Sequence, residues 1–213
     1  MEWLASFTDL VLHLDKHLVF FVQQYGDWVY ALLFAIIFTE TGVVVAPFLP
    51  GDSLLFVAGA LCVTEGMSLP LLMVLLVAAA ILGDAVNYSV GRWFGVALMT
   101  RTRLISPEKI KYTQDFFEKH GPKTIVIARF LPIVRTMAPF VAGFSGMQAK
   151  RFLTYNVSGG LLWVVSLTLA GYLFGNIPFI KNNLTAVILV IIFVSILPGI
   201  IAVIRARAAG TKN

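Results

Sequence analysis

The sequence holds a single cysteine, Cys62, and three histidines. One thiol excludes an intrachain disulfide and any cysteine-based metal motif. His13 and His17 stand four apart, a spacing that can hold a metal, but they read better as the polar face of a surface helix. No His-Glu-x-x-His, Walker loop or Gly-x-Ser-x-Gly occurs. No metal, cofactor or enzymatic chemistry is therefore expected. Charge is scarce as well. Only 13% of the 213 residues are charged, against about 25% in a soluble domain. In its place stands apolar sequence, 59% of the chain, with a mean hydropathy of +0.88. This is the composition of an integral membrane protein, and the length allows one domain. The net charge of +5 then reports topology before any nucleic-acid partner. Glu2, Asp9 and Asp15 take the place of a basic leader with a clean apolar core, so no cleavable signal peptide is expected.

Residues 3–22 place apolar side chains at helical spacing, interrupted by Asp9, His13, Asp15 and Lys16. The pattern predicts an amphipathic helix lying on the membrane, ended by Tyr25-Gly26-Asp27. From Trp28 to Leu49 runs an apolar stretch with Glu40 inside it. Pro47 and Pro50-Gly51 break it, because proline lacks an N–H and disfavours helix in the residue before it. Asp52 or Ser53 can cap a new helix over Leu54–Val63, about 15 Å long, half of what a span needs. Residues 28–65 are thus expected to form a re-entrant helical hairpin. Leu69 to Leu98 reads as one long helix with a polar stripe at Gly83-Asp84, Asn87 and Arg92. Ser106-Pro107 and His120-Gly121-Pro122 bound a short surface helix over 107–120. Residues 122–149 form a second expected hairpin, holding Arg129, Pro132, Arg135 and Pro139 and closed by Lys150-Arg151. Residues 152–180 make an uncharged span, Asn176–Asn183 a turn, and Leu184–Ile204 a last span before a basic tail.

Basic residues cluster at 101–123, at 150–151 and in the C-terminal tail, whereas the first 27 residues are net negative. The positive-inside rule makes the basic side cytoplasmic, with the C-terminus inside and the N-terminal helix outside. The basic segment 101–123 lacks a nucleic-acid fold context and suits an inner face drawn to anionic lipid. A repeat is also visible. Phe-Val-Ala-Gly at 56–59 recurs at 140–143, and Gly91-Arg92-Trp93-Phe94-Gly95 matches Gly171-Tyr172-Leu173-Phe174-Gly175. The expected fold is all-α: an inverted repeat of re-entrant hairpin plus long transmembrane helix, an architecture of secondary transporters. Residues 1–27 and 181–213 add the N-terminal helix and the C-terminal span with its tail, leaving 28–180 as the core.

Ionisable residues inside a membrane cost roughly 2.5–3.5 kcal/mol each on insertion scales and mark function by default. Opposed hairpins would bring Glu40 and Asp52 towards Arg129 and Arg135. Arginines match an anionic headgroup bidentately. Acids in such a place can take up and release protons and so couple their movement to transport. The competing reading is a pair of buried ion pairs that only lock the hairpins together. Asp84 fits equally as a member of the site or as a hydrogen-bond partner of Asn87 or Tyr88. Arg92 fits better as a snorkelling side chain at the inner interface.

At these residues the sequence resembles the DedA family of bacterial inner-membrane proteins. The motifs are Phe38-Thr39-Glu40-Thr41-Gly42, Pro47-Phe48-Leu49-Pro50-Gly51-Asp52-Ser53, Gly83-Asp84-x-x-Asn87-Tyr88-x-x-Gly91-Arg92 and Ala128-Arg129-Phe130-x-Pro132-x-x-Arg135-Thr136-x-x-Pro139. The resemblance implies a proton-linked transporter or flippase that supports membrane and envelope homeostasis. It implies phospholipid or undecaprenyl phosphate as substrate, with functional acids at Glu40 and Asp52 and functional arginines at Arg129 and Arg135. Eukaryotic relatives with the same domain are associated with lipid scrambling, so an ion-independent scramblase or membrane organiser is the alternative. The partners expected are anionic lipid and protons, with homo-oligomerisation left open.

Overall fold

The computed structural model describes residues 14–43, 51–101, 124–181, 183, 186–191, 193, 194 and 197. Among them every regular element is helical: α1 Leu14–Tyr25, α2 Trp28–Gly42, α3 Gly51–Thr64, α4 Leu69–Arg101, α5 Pro132–Phe144, α6 Ala149–Phe174 and α7 Pro178–Lys181. The start of the N-terminal helix, the Pro47–Pro50 break, the helix over 107–120 and the basic tail lie outside the described residues. So does most of the expected span 184–204, of which 186–191 are helical.

Among the described residues two helices, α4 and α6, are long and apolar enough to cross a membrane. The 15 residues of α2 and the 14 of α3 reach only about 21–23 Å, short of a bilayer's roughly 30 Å. α3 starts at Gly51, three residues ahead of Leu54, so Asp52 stands inside its first turn, where a carboxylate suits the helix dipole. α6 also starts earlier than expected and takes Lys150 and Arg151 into its first turn. Both are exposed, as basic side chains at a helix end can be when they extend towards water. α6 ends at Phe174, and Pro178 opens the short α7 where a turn was expected.

The helices group into two compact units. The first comprises Met1–Phe34, Pro50–Leu76 and Val164–Asn213. In it α1 packs on α3, and Leu18 of α1 is buried. Gln23 donates to Glu65 at 3.4 Å, and the Ser68 N–H donates to the Tyr30 hydroxyl at 2.6 Å. α3 has no polar face and is buried nearly all round, as a helix without amphipathicity must be. It crosses α6 through glycines. A Cβ on Gly59 would overlap the Thr168 carbonyl, and one on Gly171 would overlap the Phe56 carbonyl.

The second unit comprises Ala35–Leu49 and Val77–Trp163. Its crossing of α5 with α4 repeats the same construction. A Cβ on Gly143 would overlap the Tyr88 carbonyl, and one on Gly91 the Phe140 carbonyl. Small residues let two helix backbones approach where apolar lipid gives no drive for packing. The sequence repeat therefore has a structural counterpart, with one difference from the linear reading. The second helix of each expected hairpin packs against the long helix of the other repeat. Tyr88 and Phe152 stack at 4.3 Å beside this crossing, and Ile125 and Ala142 are buried with them.

Candidate functional site

The second unit breaks its helix where Arg129 sits. Residues 124–128 are helical, and 129–131 form a turn closed by Phe130 N–H to Ile127 at 3.1 Å and Leu131 N–H to Ala128 at 3.0 Å. Leu131 precedes Pro132 and is extended, φ −121° and ψ 103°, as that position prefers. Pro132 then occupies the first turn of α5, where its missing N–H costs nothing. The break puts Arg129 on the turn and Arg135 one turn into α5.

Four of the charged residues singled out in the sequence meet in this unit and are almost wholly buried: Glu40 at 0% exposure, Asp84 at 1%, Arg129 at 2% and Arg135 at 4%. They form two ion pairs. Arg135 Nη2 donates to Glu40 Oε1. Arg129 Nη2 donates to Asp84 Oδ2 and also to Asn156 Oδ1. The pairs share one aromatic surface. The Arg135 guanidinium lies 4.6 Å from the centre of the buried Trp163 ring, and that of Arg129 lies 6.0 Å away. Stacking on an indole face attracts a cation without neutralising it.

Asp84 is thus the counter-ion of Arg129, and its partner is neither Asn87 nor Tyr88. Asn87 has another task. Its Nδ2 donates to the Thr136 carbonyl at 2.7 Å and the Thr41 carbonyl at 3.2 Å, tying α5 and the end of α2 to α4. The Thr41 carbonyl belongs to the last turn of α2, where intrahelical donors have run out. The Tyr88 hydroxyl donates to the Met147 carbonyl, and Arg92 donates to that hydroxyl at 3.1 Å from an exposed position. Arg92 therefore stands outside the buried cluster. Asp52 belongs to the first unit, half-buried in the first turn of α3.

Asn156 and Trp163 joined the cluster without warning from charge counting. Both lie in a span read as uncharged. The available signal was an Asn and a Trp seven residues apart, on one face of a mostly apolar helix.

These features define a helical membrane protein with a charged cluster buried among its helices. A VTT-domain family model matches residues 49–173. The chain is 51% identical to protein DedA of Escherichia coli K12, over all of its own length and 99% of that relative's. It is 41% identical to an uncharacterized membrane protein of Mycobacterium leprae, covering 86% of this chain and 85% of the relative. It is 44% identical to the inner membrane protein YqjA of Escherichia coli K12, covering 71% and 70%. The chain belongs to the VTT-domain, or DedA, family. No solved structure matches it.

Proposed function

We propose that the protein is a transporter or flippase of the bacterial inner membrane for lipids with an anionic headgroup, coupled to proton movement and supporting envelope homeostasis. Residues 28–180 form its core, with re-entrant hairpins at 28–65 and 122–149 in inverted orientation. The C-terminus is cytoplasmic and the N-terminal helix faces outward. The single observation behind this reading is the pair of arginines buried on Trp163, each in a salt bridge with a buried carboxylate. Two guanidiniums with exchangeable carboxylate partners suit an anionic headgroup, phospholipid or polyprenyl phosphate, that replaces those partners. Protonation of Glu40 or Asp84 would release the paired arginine, which links proton uptake to lipid binding. Asp52, which lies in the family motif, is a further proton-coupling acid.

The alternative, ion pairs that only lock helices in a scramblase or organiser, explains Arg129 less well. A lock would saturate its guanidinium, yet Arg129 Nε and Nη1 are buried with no hydrogen-bond partner among the described residues. The experiment is translocation of a fluorescent anionic phospholipid in proteoliposomes. Arg129→Ala and Arg135→Ala are expected to abolish it. Wild-type rates in both variants would sink the proposal, and rates unaffected by collapsing a proton gradient would favour the uncoupled alternative.

A further inference from the structure

Asn156, Gly159, Gly160 and Trp163 follow the spacing i, i+3, i+4, i+7 and occupy one face of α6. That face receives the side chain of Arg129. Gly159 leaves room for its stem: an added Cβ would lie 3.1 Å from Arg129 Cδ and 3.3 Å from Nε. Gly160 leaves room for the guanidinium, with an added Cβ 3.6 Å from both Cζ and Nη2. Trp163 lies beyond, 6.0 Å from Cζ. At the other end Asn156 is fully buried, and its Nδ2 donates to the Ile81 carbonyl at 3.0 Å. With the donor end of the amide committed there, Oδ1 is the end turned to Arg129 Nη2.

Nη2 carries two hydrogens, and Asp84 and Asn156 take both. The Nε–H and both Nη1 hydrogens remain, inside the protein and without a partner among the described residues. Asp84 Oδ1 is in the same condition. The pair is therefore monodentate, although a carboxylate and a guanidinium can form two parallel bonds. Asn156 holds the position on Nη2 with a neutral oxygen. A carboxylate there would add a second negative charge and repel an incoming anion.

We propose that Asn156 is a positioning residue of the anion site. In the slot formed by Gly159, Gly160 and Trp163 it fixes Arg129 so that Nε and Nη1 stay available to a headgroup oxyanion. This rests on the transport reading above and names the element that tunes it.

The test uses the full chain in proteoliposomes, with fluorescent phosphatidylglycerol as the probe, comparing wild type with Asn156→Asp, Asn156→Leu and Arg129→Ala. Asn156→Asp is expected to raise the half-saturating probe fraction about tenfold, equivalent to roughly 1.4 kcal/mol, with the maximal rate retained. Asn156→Leu, which adds no charge, raises it less. Wild-type half-saturation in Asn156→Asp overturns the proposal, and so does a loss confined to the maximal rate. Arg129→Ala at the wild-type rate instead sinks the transport reading itself. A second measurement is independent of transport. In nanodiscs of the 15N-arginine-labelled chain, the Arg129 Nε–H resonance, identified by its loss in Arg129→Lys, is expected to move when phosphatidylglycerol replaces phosphatidylcholine in the wild type. It is expected to stay still in Asn156→Asp. An unmoved wild-type resonance, or equal movement in both, overturns the proposal.

Discussion

Arg135 pairs with Glu40 across 95 positions of sequence while its guanidinium lies 4.6 Å from the Trp163 ring centre. The acid comes from the end of α2, the arginine from the first turns of α5 and the indole from α6. Three segments far apart in sequence are thus fixed by one buried cation.

Removing one partner takes the salt-bridge partner from the other buried charge. Arg135→Met and Glu40→Ala are each expected to destabilise the protein by about 3–5 kcal/mol. Thermal unfolding in detergent checks this, and a loss below about 1 kcal/mol, as for exposed pairs, would show that water reaches the pair.

Asn87→Leu withdraws the donor from two buried carbonyls, Thr41 and Thr136. The Thr41 carbonyl, in the last turn of α2, loses this donor, and a buried polar group left unsatisfied costs about 1–3 kcal/mol, so a loss of that size is expected. Melting of Asn87→Leu within error of the wild type would mean that those carbonyls find other donors.

The matched helix crossings should fail alike. Gly59→Ala and Gly143→Ala each drive a methyl into a helix carbonyl, at Thr168 and Tyr88. Overpacking of this kind costs about 1–3 kcal/mol. Similar losses at both positions support equivalent construction of the two repeats. A loss at one position only would break the equivalence. Gly26 has nothing within 4 Å of an added Cβ but stands at φ +54°, so Gly26→Ala should cost only the left-handed backbone strain of about 1–2 kcal/mol.

Arg92→Ala removes an exposed side chain whose bond is to the Tyr88 hydroxyl. Less than about 1 kcal/mol of stability should be lost, with lipid translocation retained. Loss of translocation here would extend the site to the exposed end of α4.

Hydropathy and helix breakers made much of this legible. Glu40, Arg129 and Arg135 stood out because charge is rare in apolar sequence, and Pro132 marked the break that presents Arg129. The long helix of α4 was readable from length alone. The pairing was not. Which acid meets Arg129 depends on which helices cross, and the crossing is set by glycines whose partners are backbone carbonyls in another repeat. Asn156 was passed over because a neutral amide hardly changes hydropathy, although within apolar packing its two hydrogen bonds fix both a helix and a cation. Gly159 and Gly160 gave no sign, since a glycine that accommodates an arginine looks like any other glycine in a membrane helix.

A site and a lock differ in what happens when both charges of a pair are removed together. In Glu40→Gln/Arg135→Met both members of the salt bridge are neutral, so folding should recover most of what Arg135→Met alone loses. The decisive measurement is proton-gradient-driven translocation of fluorescent phosphatidylglycerol by this double variant in proteoliposomes. A protein that melts near the wild type yet moves no lipid is the expected result. A double variant that is equally stable and translocates at the wild-type rate would contradict the assignment of Glu40 and Arg135 to transport.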